Sequence, residues 1–375
     1  MSIFQWIAAA GGNWNNALDW GTASNGFVHH GVPGKGDTAE VSGNSTITVT
    51  SAIAAGTIIL DASSVMGSSQ NDPTLSFGIN STYSGVLDMQ MGNIDLNGHT
   101  LGLSGASNTL GGQILGGTLK VTGAAVIAPM VLTPNAAYDS LIVDGGAVLE
   151  DGGSMTQNGN VNLEAFSMGN PTSVANGTLE IDAGATYTVA DLAYPHEMIT
   201  GGTFVNNGTL TIKAGNTLTL DGDMNATLNG TINGAGTLAL DAATATIDAY
   251  NLSVGGISLT NATLTINGGV GAGESFHFEG GAHLVLGAFA VIEGSTSGSP
   301  FKGQVTGFAA GDSIDALSFG NGTKLAYSEN SAHTGGTLTL TYGGISEAVN
   351  FIGNYTKANF HAVSGNAGTM LTFGS

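Results

Sequence analysis

The chain of 375 residues contains no cysteine and no arginine, and charged residues make up only 9% of it. Without cysteine it can form neither a disulfide framework nor a thiolate metal site. Six lysines stand against 27 acidic residues, so the formal net charge is −21. Because phosphate backbones and anionic lipid surfaces are bound mainly by lysine and arginine, we predict no nucleic-acid partner.

The sequence also lacks a long apolar run and a recognisable secretory leader. A membrane-spanning helix needs roughly 18 consecutive apolar residues, and no such stretch occurs, so we predict no membrane insertion. The segment Met1-Ser-Ile-Phe-Gln-Trp-Ile-Ala-Ala-Ala10 has no basic residue and is interrupted by a tryptophan. It does not fit a signal peptide, and we expect any export to proceed without a Sec-type leader.

Catalytic motifs are missing as well: there is no His-Glu-x-x-His, no Gly-x-Ser-x-Gly elbow and no phosphate-binding Gly-x-x-x-x-Gly-Lys loop. Carboxylates for glycoside hydrolysis occur as local groups, Asp221 with Asp223, and Asp144 with Glu150 and Asp151. On one strand, residues two apart would project about 7 Å from each other, within the range for that reaction. A lyase acting on acidic polysaccharide would need cationic groups as well. We predict that the protein is not an enzyme, and a polysaccharide lyase or hydrolase is the least favoured alternative.

Glycine, threonine, asparagine and aliphatic residues are abundant. With 61 glycines and 42% apolar residues the chain is not disordered, and no long stretch has the period of a helix. Between residues 176 and 267 an Asn or Gly turn repeatedly precedes Thr-Leu-Thr-Ile or a close variant. Such alternation of polar and apolar residues predicts half-buried strands joined by tight turns. We therefore predict an all-β fold.

The recurrence of strand and corner, with no helix between them, favours a parallel β-solenoid, or β-helix. Leu179, Leu210 and Leu238 belong to similar Gly-Thr-Leu units about 30 residues apart, a spacing typical of one structural repeat. This interpretation gives coils of about 25 to 30 residues with two or three strands each, and aliphatic side chains stacked inside. A two-sheet β-sandwich is the competing fold, since it also consists of short strands and turns.

The first 40 residues differ from the rest because they contain all three tryptophans, Trp6, Trp14 and Trp20. Tryptophans clustered at one end of a repetitive chain favour a cap over the exposed end of the solenoid. The alternative is an aromatic platform on which the apolar faces of sugar rings stack. The sequence alone leaves both open.

The same N-terminal segment resembles a known module. The order Asn13-Trp14, Asp19-Trp20, Pro33 and Gly36-Asp37 is similar to the start of bacterial autotransporter-like and adhesin-like β-helix proteins. In those families a Trp-rich segment ends in a turn of this kind and begins the solenoid. The resemblance implies a β-helix that starts after about residue 40.

A second resemblance covers the C-terminal region. Gln304-Val-Thr-Gly-Phe-Ala-Ala-Gly-Asp-Ser-Ile-Asp-Ala-Leu317 resembles the segment that opens the C-terminal region of RTX-related bacterial proteins exported by type I secretion. Val349-Asn-Phe-Ile-Gly-Asn-Tyr355 and Ala358-Asn-Phe-His361 fit the same kind of tail. The resemblance implies an uncleaved export signal in residues 301–375. The calcium-binding Gly-Gly-x-Gly-x-Asp nonapeptide is not repeated, so calcium-driven folding does not carry over.

Two pairs of aspartates are the best candidates for a hard cation. Asp221 with Asp223, and Asp312 with Asp315, place oxygen ligands close together in the sequence, and Ca²⁺ prefers such ligands. Aspartates in these positions also form turns, and that interpretation stays open. Ca²⁺ is the one cofactor that the sequence brings forward.

These observations predict three modules: a Trp-rich cap over residues 1–40, solenoid repeats over 41–294 and a small C-terminal β domain over 301–375, after a Ser/Gly linker. A solenoid end is an unpaired strand edge, which needs a cap or takes up another molecule. We expect a secreted or cell-surface structural protein that assembles head-to-tail with itself into a filament, layer or biofilm matrix. A carbohydrate-binding adhesin module with a surface polysaccharide as partner is the alternative.

Overall fold

The computed structural model describes residues 2–8, 11–24, 27–61, 72–127, 141–144, 147–157, 160–163, 176–190, 196–248, 252–267, 270–271, 273–287, 301–365 and 368–374. The chain divides into two compact units, Met1–Thr203 and Phe204–Ser375. Within the described ranges the regular structure is β-strand with two short 3₁₀ turns, and no α-helix occurs. The described part accordingly contains no helix with the length and apolar character needed to cross a membrane.

The strands of unit 1 are short and follow each other closely. They are β1 (Ile3–Trp6), β2 (Gly12–Asn13), β3 (Trp20–Ser24), β4 (Phe27–His30), β5 (Thr38–Ser42), β6 (Thr46–Val49), β7 (Thr57–Asp61), β8 (Thr74–Phe77), β9 (Ser81–Tyr83), β10 (Val86–Met89), β11 (Asn93–Leu103), β12 (Asn108–Leu110), β13 (Gly112–Val121), β14 (Ala124–Ile127), β15 (Leu141–Asp144), β16 (Val148–Asp151), β17 (Ser154–Gln157), β18 (Val161–Asn162), β19 (Thr178–Ile181), β20 (Thr186–Val189) and β21 (His196–Thr200). The 3₁₀ turn η1 is Ala17–Asp19, and β22 (Thr203–Asn206) begins at the last residue of the unit.

Parallel pairing in unit 1 runs along three ladders. One joins β5, β7, β10, β12, β14, β17 and β20, a second joins β6, β8, β11, β13, β15, β18 and β21, and a third joins β9, β11, β13, β16 and β19. The long strand β11 belongs to two ladders and turns a corner at Asn97 and Gly98, whose φ angles are 49° and 80°. Glycine adopts that left-handed conformation without strain. These ladders confirm an all-β, solenoid-like fold and exclude the β-sandwich, whose sheets are antiparallel.

Unit 2 consists of a second run of short strands. They are β23 (Thr209–Ile212), β24 (Thr217–Asp221), β25 (Asn225–Leu228), β26 (Thr231–Asn233), β27 (Thr237–Asp241), β28 (Thr244–Ile247), β29 (Leu252–Ser253), β30 (Gly256–Thr260), β31 (Thr263–Ile266), β32 (Ser275–Glu279), β33 (His283–Leu286), β34 (Gln304–Thr306), β35 (Ser313–Ala316), β36 (Lys324–Glu329), β37 (Gly335–Tyr342), β38 (Ile345–Ile352), β39 (Phe360–Ser364) and β40 (Thr369–Phe373). The 3₁₀ turn η2 is Lys357–Asn359.

The coils of unit 2 are shorter than the sequence spacing predicted. Leu218, Leu238 and Ile257 stand in register on β24, β27 and β30, so successive coils take 20 and 19 residues. The predicted 25 to 30 residues is wrong here because Leu210 and Leu238 lie in different ladders, Leu210 being paired with Ile232. Coil length is therefore not uniform along the chain, since coils of 30 residues do occur in unit 1 between β13, β16 and β19.

The interior of unit 2 follows from strand alternation. In the ladder that contains β24, the residues Leu218, Leu238, Ile257, Phe276 and Val305 succeed each other at one inward position and are all buried. Burying one such side chain contributes about 1.5–3 kcal/mol, so the stacked rows are the main source of stability. The alternate positions on β24, β27 and β30 carry threonine, serine, alanine, glycine or aspartate and point outwards.

The pairing changes from parallel to antiparallel near the C-terminus. β34 and β35 still extend the parallel ladders of β32 and β33. After them β36, β37 and β38 form an antiparallel meander, and β40 pairs antiparallel with both β35 and β39. Residues 301–316 thus continue the solenoid ladders. The predicted linker at 294–300 lies outside the described residues, and the predicted module boundaries stay predictions.

Candidate functional site

The three tryptophans pack together inside unit 1. Trp6 lies opposite Trp20 in the antiparallel pair of β1 and β3, and the Trp20 ring lies 5.0 Å from that of Trp6 and 4.8 Å from that of Trp14, in edge-to-face geometry. The Trp20 indole N–H donates to the Trp14 carbonyl at 2.8 Å. Only 7%, 1% and 0% of Trp6, Trp14 and Trp20 is exposed. Because no ring face is free to stack on a sugar, these residues cannot form the alternative glycan platform, and their role as a cap stays a prediction.

The turn at Gly36-Asp37 fixes the N-terminal strand. Asp37 Oδ2 accepts a hydrogen bond from the Gly34 N–H at 3.1 Å, and Oδ1 accepts one from the Ser2 N–H at 2.9 Å. Gly36 supplies the left-handed angle of the turn, with φ of 92°. These backbone N–H groups lower the pKa of Asp37, because they stabilise its ionised form. The motif thus ties the segment before β1 to the turn before β5.

Asp312, one of the predicted calcium ligands, repeats this arrangement in unit 2. Its Oδ2 accepts from the Ala309 N–H at 2.8 Å, and its Oδ1 accepts from the Ala282 N–H at 3.0 Å. Gly311 has φ of 99°, in the same left-handed region as Gly36 with 92°. Both carboxylate oxygens of this buried side chain are therefore engaged by the backbone, which fits a structural tie better than a calcium ligand.

We expect Asp312→Ala to lower the free energy of unfolding by about 2–3 kcal/mol, because the buried Ala282 N–H and the partly buried Ala309 N–H lose a charged acceptor. The measurement is urea denaturation followed by circular dichroism, without and with added Ca²⁺. Asp241→Ala, at an exposed position, is the control and should change stability by less than about 0.5 kcal/mol. A variant that is destabilised only when Ca²⁺ is present would instead identify Asp312 as a metal ligand.

Asp221 and Asp223 do not share the face of a strand as predicted. β24 ends at Asp221, and Gly222 and Asp223 follow with φ of 70° and 55°, so the chain turns between the two carboxylates. Asp221 Oδ1 accepts a hydrogen bond from the Gly222 N–H at 2.7 Å. The turn interpretation is therefore the one that the geometry supports at this pair.

Asp315, the fourth candidate ligand, is buried on β35 with 7% exposure, and its Oδ1 has no hydrogen-bond partner among the described residues. Burial raises the pKa of Asp315, and the nearby His283 partly offsets this rise. Within the described ranges no three metal-ligating side chains come together around it or elsewhere. A calcium site at these aspartates stays a prediction.

Asp151 is a buried carboxylate that the sequence did not single out as part of the core. It occupies an inward position of β16, in register with Val121 on one side and Ile181 on the other, and is 0% exposed. Its Oδ1 accepts from the Gly153 N–H at 3.0 Å, whereas Oδ2 has no partner in the described part of the chain. Burial raises the pKa of Asp151 to about 6.

Further polar side chains lie inside unit 1 beyond Asp151. Tyr187, which is fully buried, donates from its hydroxyl to Gln157 Oε1 at 3.1 Å, and the Gln157 amide donates to the Met198 carbonyl at 3.2 Å. Glu197 is also buried, and together with Asp151 its charge raises the pKa of Tyr187 beyond the rise caused by burial. This part of the interior is therefore polar and acidic.

Among the candidate carboxylates for hydrolysis, Glu150 and Asp151 point away from each other. Glu150 precedes Asp151 on β16 and points to the opposite face, where it pairs with Lys120. Lys120 Nζ also contacts Asp182 Oδ2 at 2.9 Å, which joins three coils by one partly exposed ion-pair network. The side chain of Asp144 lies outside the described part. Glu150 and Asp151 therefore do not form a pair of carboxylates across a sugar-binding groove.

An open cleft of about 400 Å³ lies beside β35 in unit 2. Tyr342 is 39% exposed, and its ring packs against Gly320, where an added Cβ would come within 2.6 Å of the hydroxyl. The cleft is lined by Leu317, Ser318, Phe319, Gly320, Asn321, Tyr342, Ser364, Gly365 and Gly368. It combines one accessible aromatic ring with small polar groups.

The sheet of unit 1 ends on an unpaired strand edge. β1 pairs with β5 in parallel and with β3 antiparallel, and β3 in turn pairs with β4. β4 is the last strand of this sheet, and its second edge meets no other strand of the described residues. Among the described residues no strand pairs with the backbone N–H and C=O groups on that side, and an edge of this kind can pair with another chain.

No protein family and no curated protein matches this chain. The resemblance of the N-terminal and C-terminal segments to bacterial surface proteins therefore rests on their sequence motifs alone.

Proposed function

We propose that the protein is a secreted or cell-surface structural protein, without enzymatic activity, that assembles head-to-tail with itself into a filament, layer or biofilm matrix. The observation that carries the proposal is the unpaired edge of β4 at the end of the unit 1 sheet. An exposed edge of this kind pairs with another strand unless it is covered or charged, and β4 consists of Phe27-Val28-His29-His30, without acid or lysine. Adhesion to other cells is a related function that such an assembly could perform.

Both units support a structural role. Their strands stack in register over many coils, and most of their inward positions are filled by aliphatic and aromatic side chains. The cap role of Trp6, Trp14 and Trp20 belongs to this proposal: their packed rings would close the interior next to β1 and leave the edge of β4 as the contact surface. The net charge of −21 would keep the free chain soluble before it assembles.

Electron microscopy and light scattering of the purified protein test the proposal directly. We expect particles that grow with protein concentration, and measurements without and with Ca²⁺ decide whether the cation contributes. If the protein stays monomeric at high concentration in both conditions, self-assembly is refuted.

Export by a type I system is proposed from the resemblance of residues 301–375. Deletion of this region should abolish secretion from the native host. Because β34 and β35 are part of the solenoid ladders, the matched variant deletes only residues 321–375 and keeps these strands. Continued secretion of both shortened chains would refute a C-terminal export signal.

Carbohydrate binding is the second candidate function, and the cleft beside Tyr342 is the observation that favours it. An accessible ring next to amide and hydroxyl groups suits the apolar face and the hydroxyls of a sugar. We expect Tyr342→Ala to lower binding to surface polysaccharide at least tenfold in a glycan-binding assay, with Trp14→Phe unchanged because that ring is buried. Equal binding by wild type and Tyr342→Ala would exclude this cleft.

A further inference from the structure

Exposed large apolar side chains are concentrated at the two ends of the chain. Among the described residues nine are exposed, of which five fall within residues 3–32 and three within residues 342–363. The remaining one is Val126, with 37% exposure. Because scattered single residues need no explanation but clusters mark interaction sites, the first group is the informative one.

Four of these residues form what we call the N-terminal patch: Ile3, Ile7, Leu18 and Val28, which are 57%, 47%, 69% and 58% exposed. Strand alternation places Ile7 on the face of the sheet opposite to the buried tryptophans. A Cβ added to Gly21 would lie 3.2 Å from Ile7 Cδ1 and 2.8 Å from Val28 Cγ1, so both side chains meet over this glycine. Ile7 and Val28 of the patch therefore lie beside the unpaired edge of β4.

The charges of the chain favour its ends as contact surfaces between copies. Residues 43–300 contain 20 acidic residues and two lysines, which makes close approach of two such segments unfavourable. Residues 1–42 contain three acidic residues and one lysine. Residues 301–375 contain three of the six lysines and four acidic residues. A basic partner would be attracted to the middle of the chain, whereas a second copy meets the least repulsion at the ends.

The lysines of the C-terminal region are available for such a contact. Lys302, Lys324 and Lys357 are exposed, and none of them takes part in a salt bridge between described residues. The same region exposes Ile352 on the outer face of β38, at 43%. It thus offers apolar surface and positive charge to an acidic, apolar counterpart.

We propose that the N-terminal patch docks on the C-terminal region, residues 301–374, of a second copy of this chain. The inference rests on the proposed self-assembly and names its two surfaces. Contact between two N-terminal patches would bring like charges together, since each brings Asp19 and Glu40. In the C-terminal region the three lysines are exposed, whereas three of the four acidic residues, Asp312, Asp315 and Glu347, are buried. The contact is therefore heterologous, and repetition of it builds a chain of molecules.

Three single variants test the proposal in analytical ultracentrifugation of the full-length protein. Val28→Asp alters the N-terminal patch, Ile352→Asp alters the C-terminal region, and Val126→Asp is the matched control at an exposed position between them in the sequence. We expect at least a tenfold weaker self-association for the first two, and wild-type behaviour for the control. An equimolar mixture of Val28→Asp and Ile352→Asp should form dimers that do not grow, because each partner keeps one intact surface.

The outcomes separate this inference from the proposed function. A wild-type protein that never associates refutes both. Association of Val28→Asp at wild-type strength refutes the docking surface alone, as does equal loss in Val126→Asp. Dimers of Ile352→Asp by itself would show contact between two N-terminal patches and refute the heterologous arrangement. Leu18→Asp, in the turn η1, repeats the patch test outside a strand, and circular dichroism shows whether each variant is folded.

Discussion

Trp20→Ala is expected to lower the free energy of unfolding by about 3–5 kcal/mol, the range for removing a fully buried aromatic side chain. Trp20 is 0% exposed and lies between the rings of Trp6 and Trp14, so its removal leaves a cavity that both neighbours border. The hydrogen bond from its indole to the Trp14 carbonyl is lost as well. The measurement is the midpoint of the first transition in urea denaturation, followed by tryptophan fluorescence and circular dichroism.

Two variants make the result specific to the buried ring. Trp20→Phe keeps part of the aromatic packing and loses the indole donor, so it should lie between wild type and Trp20→Ala. Leu18→Ala changes a neighbouring side chain that is 69% exposed and should cost less than about 0.5 kcal/mol. A loss below about 1 kcal/mol for Trp20→Ala would contradict a tryptophan core at this end of unit 1.

The alternation of side chains made the strands predictable, but not how they pair. Thr217-Leu-Thr-Leu220 and Thr263-Leu-Thr-Ile266 are strands with leucine and isoleucine inside, as a period of two requires. Alternation carries no information about which strand lies above which, because every strand has the same pattern. Leu210 and Leu238 therefore look like successive repeats in the sequence, although they belong to different ladders.

The surroundings of the candidate site residues could not be predicted either, because they depend on how the strands pair. Asp312 carries a carboxylate, as a calcium ligand does, but this carboxylate accepts a hydrogen bond from the N–H of Ala282, 30 residues away. That contact depends on which coil packs next to Asp312. The tryptophans were found as a group, whereas their burial depends on how β3 folds back onto β1. Asp151 could have been found: Leu149 is an inward residue, and the second residue after it on a strand must point inwards too. The unpaired edge of β4 could not be predicted from the sequence, because an edge is defined by the absence of a neighbouring strand.

Asp151→Asn is expected to stabilise the protein at pH 7 by up to about 3 kcal/mol. The pKa of Asp151 is raised to about 6 in the folded chain by burial, whereas an unfolded aspartate has a pKa of about 3.9, and each unit is worth about 1.4 kcal/mol. At pH values between about 3.9 and about 6, the folded chain binds the Asp151 proton more tightly than the unfolded chain does. The contribution of this group to stability is therefore complete below pH ~4 and is lost as the pH rises through about 6.

The pH dependence of the variant decides whether Asp151 is the cause. Wild type should become more stable as the pH falls from 7 towards 4.5, and part of this gain comes from Asp315, Glu274 and Glu347, whose pKa values burial also raises. Asp151→Asn keeps an acceptor for the Gly153 N–H and removes the titrating group, so its stability should vary less over this range. Asp88→Asn, at an outward position of β10, is the control and should follow wild type. Parallel urea midpoints for wild type and Asp151→Asn at both pH values would show that Asp151 does not bury a charge when the chain folds.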